Sequence, residues 1–295
     1  MSVDGAALRA AVAAAGSWPA PHVAAGVVAG DGDGGDGAGP AVARFGEHGL
    51  VQPWASLTKP VTALAVLVAV EEGTVDLDEP AGPPGSTVRH LLAHASGLAP
   101  EGDAVLARPG RRRVYSNAGF ERLAAVLAER ARMPFERYLR EGVLQPLGMA
   151  SAELPSGGSP AWGMVGSLDD LLALAAELLR PRLVSPATMT EATAVAFPGL
   201  RGVVPGIGRF EHCDWGLGFE LRDGKDPHWT GRANSPATFG HFGRSGGFVW
   251  VDPQAGCAAA ALSGRDFGRW ALERWPAWSD GVLGALGAGC VGSQP

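Results

Sequence analysis

Residues 54–73 read Trp54-Ala55-Ser56-Leu57-Thr58-Lys59-Pro60-Val61-Thr62-Ala63-Leu64-Ala65-Val66-Leu67-Val68-Ala69-Val70-Glu71-Glu72-Gly73. They divide the chain into two kinds of pattern. Thr58 to Glu72 reads as a helix, and Gly73 follows as a C-terminal cap. Ser56 and Lys59 lie one helical turn apart on one face at its start. The most apolar part, Val61 to Val70, is half the about 20 residues that a bilayer span requires. A membrane-spanning chain is therefore excluded.

Upstream of this stretch the pattern is that of strands. Val23 to Val28 and Ala41 to Phe45 read as a pair joined by a glycine-rich hairpin loop from Asp31 to Pro40. A short helix, Asp4 to Ala15, opens the chain, with Leu8 and Val12 at helical spacing. Downstream, to about Ala194, the pattern is helical. Helices are expected from Thr87 to Ala93, Asn117 to Arg132 and Phe135 to Val143. Ser167 and Asp170 form a capping box for Leu168 to Leu179. After Trp215 strands return, over Trp215 to Leu221, Thr238 to Gly243, Gly247 to Val251 and Gly256 to Leu262. A closing helix, Phe267 to Leu286, places Trp270, Trp278 and Val282 on or near one face. Strands at both ends with helices between predict one sheet built from both termini and interrupted by a helical insertion. The expected division is an α/β sheet lobe from 1–55 and 205–295 and a helical lobe from 56–204, with the active site in the cleft between them.

The chain has 295 residues, with 44 glycines, 23 prolines and 46% hydrophobic content. That content, without a Gly-x-y period, excludes collagen and disorder. A net charge of −6 argues against bulk nucleic-acid binding. Cys213, Cys257 and Cys290 match no metal or redox spacing, and free thiols in a reducing compartment are expected. The first residues carry no basic region, and only a brief alanine-rich stretch precedes Gly16. No signal peptide is expected, and the expected location is the cytoplasm. Rarity is more telling: of 24 basic residues only Lys59 and Lys225 are lysines, and the two tyrosines are Tyr115 and Tyr138. The asparagines are Asn117 and Asn234.

A serine hydroxyl needs a neighbour to accept its proton. Lysine can do so once burial lowers its pKa, whereas arginine stays charged. In a chain that otherwise uses arginine, Lys59 beside Ser56 is informative, although Ser-x-x-Lys alone equally describes a capped helix with a surface lysine. Tyr115-Ser116-Asn117 supplies a phenol that can shuttle protons and an amide that can bridge lysine and substrate. One of two tyrosines and one of two asparagines meet here, against the plainer reading of a core tyrosine and a helix cap. His241-Phe242-Gly243 ends a strand, where glycine lets a substrate approach the edge closely. A backbone N–H there would complete an oxyanion hole with that of Ser56. Trp54 either lines the acyl pocket or packs beneath the helix.

These three motifs, in this order, resemble the serine β-lactamase-like superfamily, in its branch of class C β-lactamases, D-alanyl carboxypeptidases and esterases. The likeness extends to 71–80 (Glu-Glu-Gly-Thr-Val-Asp-Leu-Asp-Glu-Pro), 88–98 (Val-Arg-His-Leu-Leu-Ala-His-Ala-Ser-Gly-Leu), Gln145-Pro146-Leu147-Gly148-Met149 and Phe248-Val249-Trp250-Val251-Asp252-Pro253. It implies an antiparallel sheet flanked by helices, with an all-α insertion. It implies acylation of Ser56, general acid/base work by Lys59 and Tyr115, and orientation of substrate and lysine by Asn117. It places His241 where relatives carry lysine or histidine, and the N–H groups of Ser56 and Arg244 around the oxyanion. No metal or organic cofactor follows. The implied substrates are small esters, amides or β-lactams, with no nucleic acid or membrane partner.

One departure bears on substrate. The β-lactam and peptide hydrolases it resembles usually carry Lys-Thr-Gly, Lys-Ser-Gly or His-Thr-Gly, whose cation and hydroxyl hold a carboxylate. Here Phe242 has no hydroxyl and His241 titrates near neutrality, which favours uncharged esters or amides over penicillins unless Arg244 turns inward. Small esters are the expected substrates, with β-lactam or D-amino-acid peptide hydrolysis as the alternative. A non-catalytic scaffold is the rival reading, and the lysine kept against the arginine bias argues against it. Four other features are read as bland. Gly243-Arg244-Ser245-Gly246-Gly247 matches a nucleophile elbow, but no histidine follows it. His90 and His94 lack the zinc-protease glutamate. Asp31, Asp33 and Asp36 fit a solvated hairpin tip better than a calcium loop. Arg111-Arg112-Arg113 reads as a solvated charge run rather than an anion funnel.

Overall fold

A computed structural model of the protein describes residues 5–29 and 41–288. In chain order the elements are α1 (Gly5–Ala13), β1 (Ala24–Ala29), β2 (Ala41–Phe45), β3 (Gln52–Pro53), α2 (Thr58–Glu71), α3 (Val88–Leu92), α4 (Asn117–Ala131) and α5 (Phe135–Leu139). There follow β4 (Val165–Gly166), α6 (Leu168–Leu179), α7 (Pro186–Ala192), β5 (Gly202–Val204), β6 (Gly208–Phe210) and β7 (Glu220–Leu221). The chain closes with β8 (Phe239–Gly243), β9 (Gly247–Asp252), β10 (Cys257–Leu262) and α8 (Arg269–Ala288).

One six-stranded antiparallel sheet has the order β2-β1-β10-β9-β8-β7, so strands from both ends of the sequence meet at the β1–β10 pair, where Ala24 faces Leu262. Alternation sorts the side chains to two faces. Ala24, Val28, Val249, Val251, Ala258 and Ala260 join the core that includes α2 and α6. Ala25, Val27, Phe248, Trp250, Ala259 and Ala261 face α1 and α8, where they meet Leu8, Val12, Trp270, Trp275, Trp278 and Val282. The sheet is thus covered on both sides, which is why its central strands read as unbroken apolar runs. α2 is buried almost throughout. The Ser167–Asp170 capping box is present, and Asp170 also takes the hydroxyl of Ser151.

Three expectations need correction. Of the strand expected over 215–221 only Glu220–Leu221 forms, because 215–219 spend their backbone groups elsewhere: Leu217 N–H donates to Ala192 and Gly218 N–H to Leu92. The helix expected to Val143 ends at Leu139 and passes into a π turn, Arg140–Leu144. α8 begins at Arg269 rather than Phe267, whose N–H is taken by the Arg244 carbonyl at 2.7 Å. The two-stranded pairs β3–β4 and β5–β6 were not anticipated; each is too short to show a period. The expected hairpin loop with Asp31, Asp33 and Asp36, and Cys290, lie outside the described residues.

Candidate active site

The turn that carries Ser56 is built before the helix starts. Ala55–Leu57 form a 3-10 turn leading into α2, and Ala55 adopts a left-handed φ of +48°. For a residue with a Cβ that costs about 1–2 kcal/mol. The turn is pinned on both sides: Thr58 Oγ1 donates to the Ala55 carbonyl at 2.8 Å, and Trp54 N–H donates to the Met164 carbonyl at 3.0 Å. Trp54 itself is fully buried in the core beneath the turn and is not among the residues that line the cavity at Ser56. A Cβ on Gly243 would lie 2.3 Å from the Trp54 carbonyl oxygen. The glycine is needed there for a close approach of backbone to backbone. It admits the backbone of residue 54, and so seats the end of β8 against the Ser56 turn.

Around Ser56 Oγ stand two groups. Tyr115 Oη donates to it at 2.8 Å, and Lys59 Nζ lies 3.4 Å away. Lys59 also donates to Asn117 Oδ1 at 2.6 Å and to the Ala161 carbonyl at 3.0 Å. Among the described residues no carboxylate touches it, and burial pushes its pKa down to about 7, against the opposing pull of Glu101 and Glu121. Burial pushes the Tyr115 phenol above its ordinary range, so at neutral pH it keeps its proton. His241 Nε2 lies 3.5 Å from Tyr115 Oη, and its Nδ1 donates to the Phe242 carbonyl at 2.7 Å. Burial, and then the Lys59 charge, push the His241 pKa down to about 3, so its imidazole is neutral.

Asn117 is free for this work because Ser116, not Asn117, caps α4, accepting from Gly119 N–H at 3.0 Å. Its amide N–H₂ donates to Glu101 Oε1 at 2.6 Å. Glu101 is held there by the Pro100 carbonyl, which accepts the N–H groups of Asn117 and Ala118. Nothing in the local sequence marks Glu101. His94, read as structural, accepts the Ser116 N–H at 3.1 Å and lies against the Tyr115 ring, with centroids 4.6 Å apart. His90 pairs with Thr87 and stacks on Phe197. Arg113 departs from the solvated reading: it is buried and donates to the carbonyls of Ala93, Cys213, Ala196 and Phe197. Burial lowers its pKa to about 10, and it locks the segment before Tyr115.

Ser56 and Tyr115 open into a cavity of about 290 Å³, walled by Trp215, His241, Phe242 and Phe267 and by the tip of the β5–β6 hairpin, Val204 to Gly206. Arg244 stands at its edge with a side chain 88% exposed, 3.9 Å from Asp266. Trp215, Phe267 and the hairpin carried no signal in the sequence, since apolar wall residues resemble core residues. Among the described residues no cluster of three or more His, Cys, Asp or Glu is placed to hold a metal, and no helix is long and apolar enough to cross a membrane.

Fold and site together define a serine hydrolase of the β-lactamase-like superfamily. The chain belongs to the β-lactamase family, whose family model matches residues 22–280. It is similar to a β-lactamase from Mycobacterium bovis, with 52% identity over 94% of this chain and 99% of that one and a TM-score of 0.88. The LovD6 mutant of simvastatin synthase from Aspergillus terreus shares the fold at 16% identity, covering 95% of each chain, with a TM-score of 0.72. A D-stereospecific amidohydrolase from Streptomyces sp. does so at 20% identity, over 97% of this chain and 99% of that one, with a TM-score of 0.66. No match was found among curated proteins.

Proposed function

We propose that the chain hydrolyses small, uncharged carboxylic esters through an acyl-enzyme on Ser56. The neutral Lys59 amine takes the Ser56 proton as Oγ bonds to the ester carbonyl carbon. The N–H groups of Ser56 and Arg244 hold the oxyanion. As the carbon–oxygen bond of the leaving group breaks, Tyr115 gives its proton to the departing alkoxide and recovers one through Lys59. Water then attacks the acyl group by the same route in reverse. Asn117 orients Lys59. Ser56, Lys59, Tyr115 and Asn117 come from 56–204 and His241 and Arg244 from 205–295, which supports placing the site in a cleft between those two parts. The buried free thiols Cys213 and Cys257 fit a reducing compartment such as the cytoplasm.

The observation that carries the substrate class is the wall opposite Ser56. His241 is neutral, and Phe242 offers a ring where relatives offer a hydroxyl. Two charge-assisted bonds to a substrate carboxylate are thereby lost, at roughly 1.5–3 kcal/mol each. A second reading, β-lactam hydrolysis, has Arg244 at the cavity edge and the β-lactamase from Mycobacterium bovis in its favour. Initial rates on p-nitrophenyl butyrate and nitrocefin, with Ser56→Ala as blank, separate the two. Faster ester turnover is expected. Faster nitrocefin turnover overturns the substrate class, and no turnover of either above the blank favours a non-catalytic scaffold.

A further inference from the structure

A second cavity, of about 300 Å³, lies on the other side of the β5–β6 hairpin, lined by Arg112, Arg201, Arg209, Val203, Phe210 and Glu211. Its three arginines are brought together by the backbone. Arg113 N–H donates to the Arg201 carbonyl at 2.9 Å, which sets Arg112 beside Arg201. The hairpin pairs Val203 with Arg209, adding the third. A Cβ on Gly202 would lie 2.5 Å from that of Arg113, so the hairpin packs directly on the arginine run. The anchor of the arrangement is the buried Arg113, whose fork is spent on carbonyls.

Some exposed arginines of this acidic chain find carboxylates, as Arg122 does in Asp103, Arg130 in Glu79, Arg137 in Glu141 and Arg269 in Glu273; among the described residues others, such as Arg108, Arg132 and Arg274, stand singly at the surface. Among the described residues, the side chains of Arg112, Arg201 and Arg209 make no ion pair or hydrogen bond, and Glu211 is the one acidic group on their cavity. Like charges gathered around one cavity repel unless an anion joins them, and the guanidinium fork matches phosphate oxygens two at a time. We propose that this cavity binds a multiply charged oxyanion of the phosphate type. The same hairpin walls the Ser56 cavity with Val204, Pro205 and Gly206. With the uncharged ester proposed above the anion is a free ion seated behind the hairpin; an anion borne by the substrate would replace that ester class with a charged one.

Isothermal titration calorimetry with sodium pyrophosphate tests the site without relying on turnover, and runs equally on the Ser56→Ala chain. One site is expected, weakening as salt rises. The Arg201→Ala/Arg209→Ala double variant should bind at least tenfold more weakly. The Arg137→Ala/Arg269→Ala double variant, with the same change in net charge, should bind as the parent does. No measurable binding, or equal loss in both double variants, overturns the proposal. The source is read from KM on the p-nitrophenyl esters of butyric and 4-phosphonobutyric acid. A lower KM for the phosphono ester, abolished in Arg201→Ala/Arg209→Ala, supports the site with the anion borne by the substrate. Equal KM values together with pyrophosphate binding support it with a free ion.

Discussion

The two lysines of the chain are both buried, and their surroundings are opposite. Lys59 has a hydroxyl, an amide oxygen and a carbonyl around its ammonium and, among the described residues, no carboxylate in contact. Lys225 donates to the carbonyls of Asp214 and Leu221 and faces Glu220 Oε1 at 3.0 Å. Burial alone would push the Glu220 carboxyl up, but His228 and Lys225 more than reverse it and hold it below its ordinary range. His228 and Trp229 both meet Glu220 Oε2, at 2.8 and 2.9 Å. A buried ammonium with a carboxylate partner is a brace. One without a partner gives up its proton near neutrality and becomes a base.

The largest effect that separates the two is Lys59→Arg. Arginine keeps the charge and cannot accept a proton, so kcat/KM for p-nitrophenyl butyrate should fall about 10³-fold or more, within the range of general-base contributions. The change should be far smaller in thermal unfolding. Near-normal turnover would remove the base from the scheme. Lys225→Met should do the reverse. It leaves Glu220 buried with His228 but without its ammonium, at a cost of up to about 3–5 kcal/mol in unfolding free energy, read from urea denaturation. The double variant Lys225→Met/Glu220→Gln should regain part of that loss, and no recovery would place the cost in packing rather than charge.

A smaller effect refines the electrostatics of Lys59. Glu101 and Glu121 hold its pKa up against burial. Because the neutral amine is the active form, the rate should rise with pH through about 7. In Glu101→Gln one of the two opposing charges is gone and Glu121 remains, so that limb should move to lower pH. The kcat should change little if the glutamine still accepts from Asn117 through its amide oxygen. A limb that stays in place would show that Glu101 positions Asn117 without tuning the base.

What the sequence disclosed follows the same division. Lys59, Tyr115 and Asn117 stood out because scarce residue types met at chemically sensible spacings, and the structure gathers them at Ser56. The same scarcity marked Lys225, Tyr138 and Asn234, which serve structure instead: Tyr138 donates to Glu72, and Asn234 accepts from Gly231. Rarity shows that a residue is not replaceable, not why. The central strands and the Ser167 capping box were legible because period and cap are local. Glu101, Trp215 and the β5–β6 hairpin were not, because their roles arise only when distant segments close on one cavity. Arg113 was misread for a related reason. Only the fold determines which of three consecutive arginines turns inward.

The central claim is that Ser56 is the nucleophile and that a neutral Lys59 activates it. The most direct measurement is the rate of covalent labelling by a fluorophosphonate across pH 5.5 to 9, with the adduct located by peptide mass spectrometry. One adduct is expected, on Ser56, forming at a rate that climbs about tenfold per pH unit below pH 7 and then levels. An adduct elsewhere, or a Ser56 adduct whose rate does not change with pH, would contradict the claim.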